Sequence, residues 1–291
     1  MKCSTTCFSF LNTVPTLSST MIPEQCSIVL PTFNESSRIT ATLKYYSEFS
    51  SIIYIIDNFS TDNTLELARQ FAVKIISHQN NGATESGVWI RWLLQAVPGN
   101  YYLFLSCSEI ITPEAIASVS SLINSNFDLC YWPRLSFTEN SESLIYGPIS
   151  CLLGLHKHYD FTCRLASSRV LRDNLDGIFI HDNFRSFRRK SKFCEIKTKN
   201  HYIKHNRPAT NTQILHKLLS YAIVDSNQYI QKNSSSKNPV LYLLRIIREL
   251  FVLFVLFCSF RLTAIRANEV LARIILHLQT YILIANANLL K

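Results

Sequence analysis

Two β-branched apolar runs, Ser27–Leu30 and Ile52–Ile56, each break at the C-terminal end into a dense polar cluster. The first ends in Pro31-Thr32-Phe33-Asn34-Glu35 and the second in Asp57-Asn58-Phe59-Ser60-Thr61-Asp62. Short continuous apolar runs of this kind suit strands buried on both faces. Between them, Ser36–Phe49 sets Ile39, Leu43 and Tyr46 on one face of a helix. A strand, a helix and a second strand make a βαβ unit, which requires a parallel sheet. Ligands of open α/β sheets bind outside the carboxyl ends of the strands, and the two polar clusters fall there.

The alternation continues. Thr61–Phe71 reads as a helix, with Ser60 or Thr61 as its cap and Asp62 in its first turn. Val73–Ile76 reads as a strand, Gly87–Ala96 as a helix stopped by Pro98-Gly99, and Tyr101–Leu105 as a strand. Thr112-Pro113-Glu114 predicts a helix start, with Thr112 capping and proline at the first helical position. Phe127–Trp132 is the next strand. Strands alternating with helices of this length predict an α/β fold, a parallel sheet covered on both faces. Beyond about residue 140 the pattern loosens. Strands are expected near Leu144–Tyr146, Phe161–Leu165 and Ile178–His181, and a helix over Thr210–Ile230. The polar stretch from Gln231 to Pro239 is a hinge, and Val240–Leu290 has helical character. The expected domains are an extension over 1–25, a main domain over 26–230 (halves 26–135 and 136–230) and a helical tail over 239–291.

Charge is unevenly spread. Residues 1–150 carry 7 basic and 12 acidic side chains, net −5, whereas residues 151–291 carry 22 and 8, net +14. No nucleic-acid motif accompanies the basic half, which points instead to an anionic membrane surface or a diphosphate. The nine cysteines show no CxxC spacing and are expected to be reduced, buried thiols of a cytoplasmic protein. The first 25 residues have no signal-peptide architecture, and Met21 stands just before the first strand, so this stretch reads as a dispensable extension or a misplaced start. In the tail, Leu250–Phe260 is apolar but far short of the roughly 20 residues needed to span a bilayer. With Arg261, Arg266 and Arg273 nearby, the tail either lies in a lipid interface with its basic face toward the head groups or packs as a helical hairpin.

The clusters at Pro31–Glu35 and Asp57–Asp62 resemble the opening motifs of family 2 glycosyltransferases. That resemblance covers about residues 26–230. It implies a GT-A type fold: a Rossmann-like nucleotide-sugar domain with a mixed, mostly parallel sheet and an acceptor half. It further implies inverting transfer from a nucleoside diphosphate sugar to a glycan or glycolipid acceptor, as in lipopolysaccharide-core and other cell-envelope enzymes. Pro31, Thr32, Asn34, Glu35, Asp57, Ser60 and Asp62 then hold the nucleotide. The family's acidic Asp-x-Asp motif, which holds Mg²⁺ or Mn²⁺, falls on Ser106-Cys107-Ser108-Glu109. Both aspartate positions are serine and only Glu109 keeps a carboxylate. A hard cation prefers carboxylates. Either a weak site survives at Glu109, or protein cations replace the metal, or the chain is a degenerate relative that binds nucleotide sugar or glycan without turnover.

The same resemblance marks further residues. Arg91, in Ile90-Arg91-Trp92, is a candidate for the diphosphate. Phe161–Leu165, containing Arg164, and Ile178–Asp182 match a strand and a His-Glu dipeptide in order and spacing, with Asp182 for the glutamate. Asp182 is thus the candidate general base, with His181 beside it. His205 matches a histidine near the donor phosphates. The basic run Arg185, Arg188, Arg189, Lys190 and Lys192 is either a solvated loop or a flap over the diphosphate. A phosphoryl transferase would want a Gly-rich phosphate loop, and a chain with six glycines has none.

Overall fold

The computed structural model describes residues 21–80, 86–137, 160–175, 184, 187–196, 200–206 and 240–258, with single positions between 270 and 285. They fall into two compact units. One takes in the described residues up to Asn206 and the other those from Val240 onward.

In the first unit, β1 (Cys26–Thr32), β2 (Ile53–Asp57), β3 (Lys74–Ser77) and β4 (Tyr101–Phe104) form a parallel group. Every residue of β2 is buried, as is every residue of β1 except the half-buried Pro31, as expected of central parallel strands. β3 is the half-exposed edge. β5 (Glu109–Ile111), β6 (Leu129–Phe137), β7 (Asp160–Ser167), β8 (Phe193–Glu195) and β9 (Ile203–Asn206) complete a nine-stranded mixed sheet. Its order is β3-β2-β1-β4-β7-β6-β9-β5, with β8 paired to β6. β7 is antiparallel to β4 and β6, and β5 is antiparallel to β9.

Two apolar layers cover the sheet. Ile28, Leu30, Ile53 and Ile55 point into one core, with Ile39, Leu43 and Tyr46 of α1 (Ile39–Ser47), Ala68 of α2 (Thr64–Ala68), and Ile116 and Val119 of α4 (Pro113–Asn124). Val29, Tyr54 and Ile56 point into the other, with Trp89, Ile90 and Leu93 of α3 (Gly87–Ala96) and Val170 and Leu171 of α5 (Ser168–Asp173). The period-2 alternation of strand side chains produces this division. Ile22 is buried in the first core and its N–H donates to the Phe49 carbonyl at 2.8 Å, so packed chain extends upstream of Cys26. Cys26, Cys107, Cys130, Cys163 and Cys194 are buried free thiols.

Element starts depart from the sequence reading where polar side chains have other work. α2 begins at Thr64, because Ser60 and Thr61 bond to Asp57 and Asn34 instead of opening the helix. Thr112 stands at the start of α4, but its hydroxyl donates to the Asn200 carbonyl at 2.7 Å and does not cap. Ser86 does cap α3, accepting from the Trp89 N–H at 3.1 Å. The expected strands near 144–146 and 178–181 and the helix over 210–230 lie outside the described residues.

The second unit contains α6 (Val240–Cys258) and a short helical stretch around Val270, which is buried against Leu253 and Ile274. Among the described residues, no helix is long and apolar enough to cross a membrane.

Candidate active site

β1 lies between β2 and β4, so the chain leaves β1 in one direction and returns on its other side. Such a reversal opens a crevice at the carboxyl ends of the strands. Two loops wall it, one after β1 and one after β2, and they are sewn together. The Asn34 N–H donates to Ser60 Oγ at 2.9 Å, and Asn34 Oδ1 accepts the Thr61 N–H at 2.8 Å. The Glu35 N–H donates to Thr64 Oγ1 at 2.7 Å and the Ser36 N–H to Asp62 Oδ2 at 3.1 Å. Asn34 and Phe59 adopt left-handed backbone, with φ of 54° and 58°. Asparagine tolerates that region and phenylalanine does not, so the turn at Phe59 is held by its surroundings.

Asp57 anchors the loops. Its buried carboxylate accepts from the Thr32 hydroxyl (3.1 Å), the Ser60 N–H (2.8 Å) and the Ser60 hydroxyl (2.6 Å). A carboxylate has roughly four acceptor positions, and these bonds fill three of them. The hydroxyl of Thr64 holds the Asp62 carboxyl down at about 2, against the opposing effect of burial and with help from Ser36. Glu35 pairs with Arg38 at 2.6 Å. Pro31 leads into the loop from β1. Phe33 and Phe59 stand exposed at the loop tips.

The second wall follows β4. The Leu105 N–H donates to the Val29 carbonyl at 3.0 Å, and the chain turns through Ser106–Ser108 into β5. The Ser106 and Ser108 hydroxyls lie 2.9 Å apart and bond to each other. The Tyr46 hydroxyl donates to the Glu109 carbonyl at 3.0 Å, and the Asn206 N–H donates to the Ser108 carbonyl at 2.8 Å. Glu109 pairs across the β5–β9 ladder with His205.

The Glu109 side chain is buried and ionised. Arg164 grips it with both arms, Nε to Oε2 at 3.0 Å and Nη2 to Oε1 at 2.6 Å, and Arg134 Nη1 stands 3.5 Å from Oε1. Burial pushes this carboxyl up, but Arg164 foremost, then His205 and Arg134, pull it down to about 2. The fold thus gathers Ser106, Ser108, Glu109, Arg164 and His205, scattered over 100 positions of sequence. It adds Arg134, which sequence reasoning missed. Its signal was an arginine in a mostly apolar strand, Leu129–Phe137.

A divalent cation held by carboxylates does not fit here. The two serine hydroxyls are weak donors to a hard ion. Both oxygens of the one carboxylate already bond a guanidinium. Among the described residues, no three His, Cys, Asp or Glu side chains converge as a metal site.

Arg91 is exposed on α3, beside Trp92, which stacks on His78 at 3.6 Å. Arg188 is engaged internally: its guanidinium lies 3.9 Å over the Tyr131 ring and bonds Glu195 at 2.5 Å. Arg189 and Lys190 beside it are exposed. His181 and Asp182 lie outside the described residues.

A family model described as glycosyl transferase family 2 matches residues 27–191. No curated protein matches the chain. Among solved structures, the chain is similar to S. aureus TarS, at 16% identity and a TM-score of 0.44, covering 68% of this chain and 39% of that one. The 1-349 form of S. aureus TarS matches at 16% and 0.44, with 68% and 64% covered. Glucosyl-3-phosphoglycerate synthase from Mycobacterium tuberculosis, in complex with Mn²⁺ and uridine-diphosphate-glucose, matches at 16% and 0.46, with 72% and 82% covered. The chain therefore spans 39% of the length of TarS and 64% of its shorter form.

Proposed function

The chain belongs to glycosyl transferase family 2, and we propose that it moves a sugar from a nucleoside diphosphate donor to a hydroxyl of a cell-envelope glycan or lipid-linked acceptor, with inversion at the anomeric carbon. The observation that carries this reading is the pair of cross-linked loops at the reversal point of the sheet, with Asp57 buried between them. Asp57 offers its remaining acceptor position to a base N–H or a ribose hydroxyl. Thr32, Asn34, Glu35, Ser60 and Asp62 hold the loops that carry it, and Arg91 is our candidate for the diphosphate, on the resemblance of its sequence element alone. In the reaction an acceptor oxygen attacks the anomeric carbon. The bond from that carbon to the diphosphate breaks, and the nucleoside diphosphate leaves with the electron pair. The acceptor proton goes to Asp182, with His181 as its neighbour; this assignment rests on order and spacing in the sequence. General-base help of this kind contributes about 10²–10⁴-fold.

One observation favours a second reading. Serines at both aspartate positions, with Glu109 committed to Arg164, suit a degenerate relative that binds nucleotide sugar or glycan without turnover. A donor-hydrolysis screen across nucleoside diphosphate sugars, with and without Mn²⁺, separates the two. Turnover of any donor supports the transferase. Binding with no turnover under either condition supports the degenerate relative.

The setting we propose is peripheral, at the inner face of the cytoplasmic membrane. Leu243, Leu244, Ile247, Leu250, Phe251 and Phe254 are exposed along α6. Their spacing, i, i+1, i+4, i+7, i+8, i+11, places them in one stripe, and Arg245 and Arg248 share the helix. A stripe of this kind suits an anionic lipid surface.

A further inference from the structure

We propose that the Arg134–Glu109–Arg164 cluster takes the place of the divalent cation in neutralising the donor diphosphate, which makes binding of that group independent of metal. The inference rests on the transferase reading and concerns the same crevice.

A cation at the end of β4 would do two jobs. It would hold the 105–109 turn in shape, and it would put positive charge where the leaving group becomes negative. Here both jobs are already done by protein groups. Three neighbouring elements hold the turn: Leu105 bonds to β1, the Tyr46 hydroxyl reaches the Glu109 carbonyl from α1, and Asn206 of β9 bonds the Ser108 carbonyl. One of the two serine hydroxyls donates to the other at 2.9 Å.

The charge is also supplied. Two aspartates and a glutamate around a divalent ion carry a net −1. One glutamate with two arginines carries +1, and His205 faces the same carboxylate across the ladder. The second set has the sign that attracts a diphosphate. A metal ion would have to take Glu109 from Arg164, whose side chain is 10% exposed, leaving a guanidinium buried without its counterion. Arg164 is therefore a positioning residue that fixes Glu109. Arg134, with a side chain 25% exposed, is the member that reaches solvent and the phosphates. A guanidinium suits phosphate oxygens, because its N–H groups match them in pairs.

Isothermal titration of the full chain with uridine, guanosine, adenosine and thymidine diphosphates, each with EDTA and with Mn²⁺, tests this. The expected result is that at least one diphosphate binds with affinity equal to within about twofold in the two conditions. Arg134→Gln should weaken that diphosphate by about tenfold or more while leaving the matching nucleoside unchanged, and Arg134→Lys should recover part of the loss. If Mn²⁺ tightens binding about tenfold or more, or if a folded Arg134→Gln binds the diphosphate as the parent does, the inference is overturned and the transferase reading stands. If no diphosphate binds in either condition, both fall. Where Arg134→Gln does not fold, the EDTA comparison on the parent chain still decides.

Discussion

Asp57 is both a structural acceptor and a candidate ligand group, so its removal has two effects. In Asp57→Ala the Ser60 N–H, the Ser60 hydroxyl and the Thr32 hydroxyl lose their acceptor at a buried position. Ser60 is half-exposed and can turn to water, so leaving these groups unpaired costs about 1–3 kcal/mol in all. Chemical denaturation should show a loss in that range, and calorimetry on the folded fraction should show weakened nucleoside diphosphate binding. Unchanged affinity in a folded variant would remove Asp57 from the nucleotide site.

Glu109 and Arg164 form the most consequential pair. Arg164→Gln leaves a buried carboxylate without its main counterion and should cost about 3–5 kcal/mol. The double variant Glu109→Gln/Arg164→Met should recover much of that loss, since neither charge remains. The pH dependence follows from the lowered carboxyl. Glu109 is held at about 2, below its ordinary 4.5. Its contribution is fully present above 4.5 and disappears as pH falls from there toward 2. Acid titration of stability should therefore be flatter in Glu109→Gln than in the parent across that window; parallel curves would contradict the buried ion pair.

Ser106→Asp with Ser108→Asp places two carboxylates where hydroxyls now stand 2.9 Å apart. Like charges that close need a proton or a cation between them. Mn²⁺ affinity in the presence of nucleotide should rise by about tenfold or more. A folded double variant with no gain would mean that residues 106–109 do not face the diphosphate.

At the scale of elements, β5 shows how a three-residue strand can set a site. It has too few residues to be held by its own propensity, and it persists because β9 pairs with all three, with Thr112 bonded to the segment before β9 just beyond. α6 poses the opposite case: a long helix with an exposed apolar stripe. Each large apolar side chain moved out of water is worth roughly 1.5–3 kcal/mol, enough for several to hold a helix at a lipid surface. Deleting residues 239–291 should abolish sedimentation with anionic liposomes, and Phe251→Asp with Phe254→Asp should reduce it strongly. A parent chain that ignores such liposomes at low salt would leave the stripe to a protein partner.

For the whole molecule, a ligand that binds only the folded state raises stability by mass action, by about 2.7 kcal/mol at a hundredfold excess over Kd. Thermal unfolding followed with a bound nucleoside diphosphate should shift upward equally with EDTA and with Mn²⁺. A shift only with Mn²⁺ would restore the metal to the mechanism. The α/β class, the parallel group β1 to β4, the exact span of α3 and the two polar strand ends were all legible in the sequence, because each depends on local periodicity and turn chemistry. Buried free thiols were expected from the odd cysteine count and the lack of CxxC spacing, and the five described cysteines are of that kind. Strands β5, β8 and β9 were not legible, since they lie outside the strand–helix alternation and are stabilised by partners far along the chain. Arg188 looked like a phosphate ligand within a basic run, yet it lies over Tyr131 and pairs with Glu195, contacts that no spacing announces. Ser106, Ser108 and the lone carboxylate of Glu109 could be read directly from the chain. Which counterion Glu109 takes was decided by the fold, because only the antiparallel entry of β7 beside β4 brings Arg164 onto Glu109, 55 residues away, and a buried charge takes whichever counterion the tertiary structure delivers.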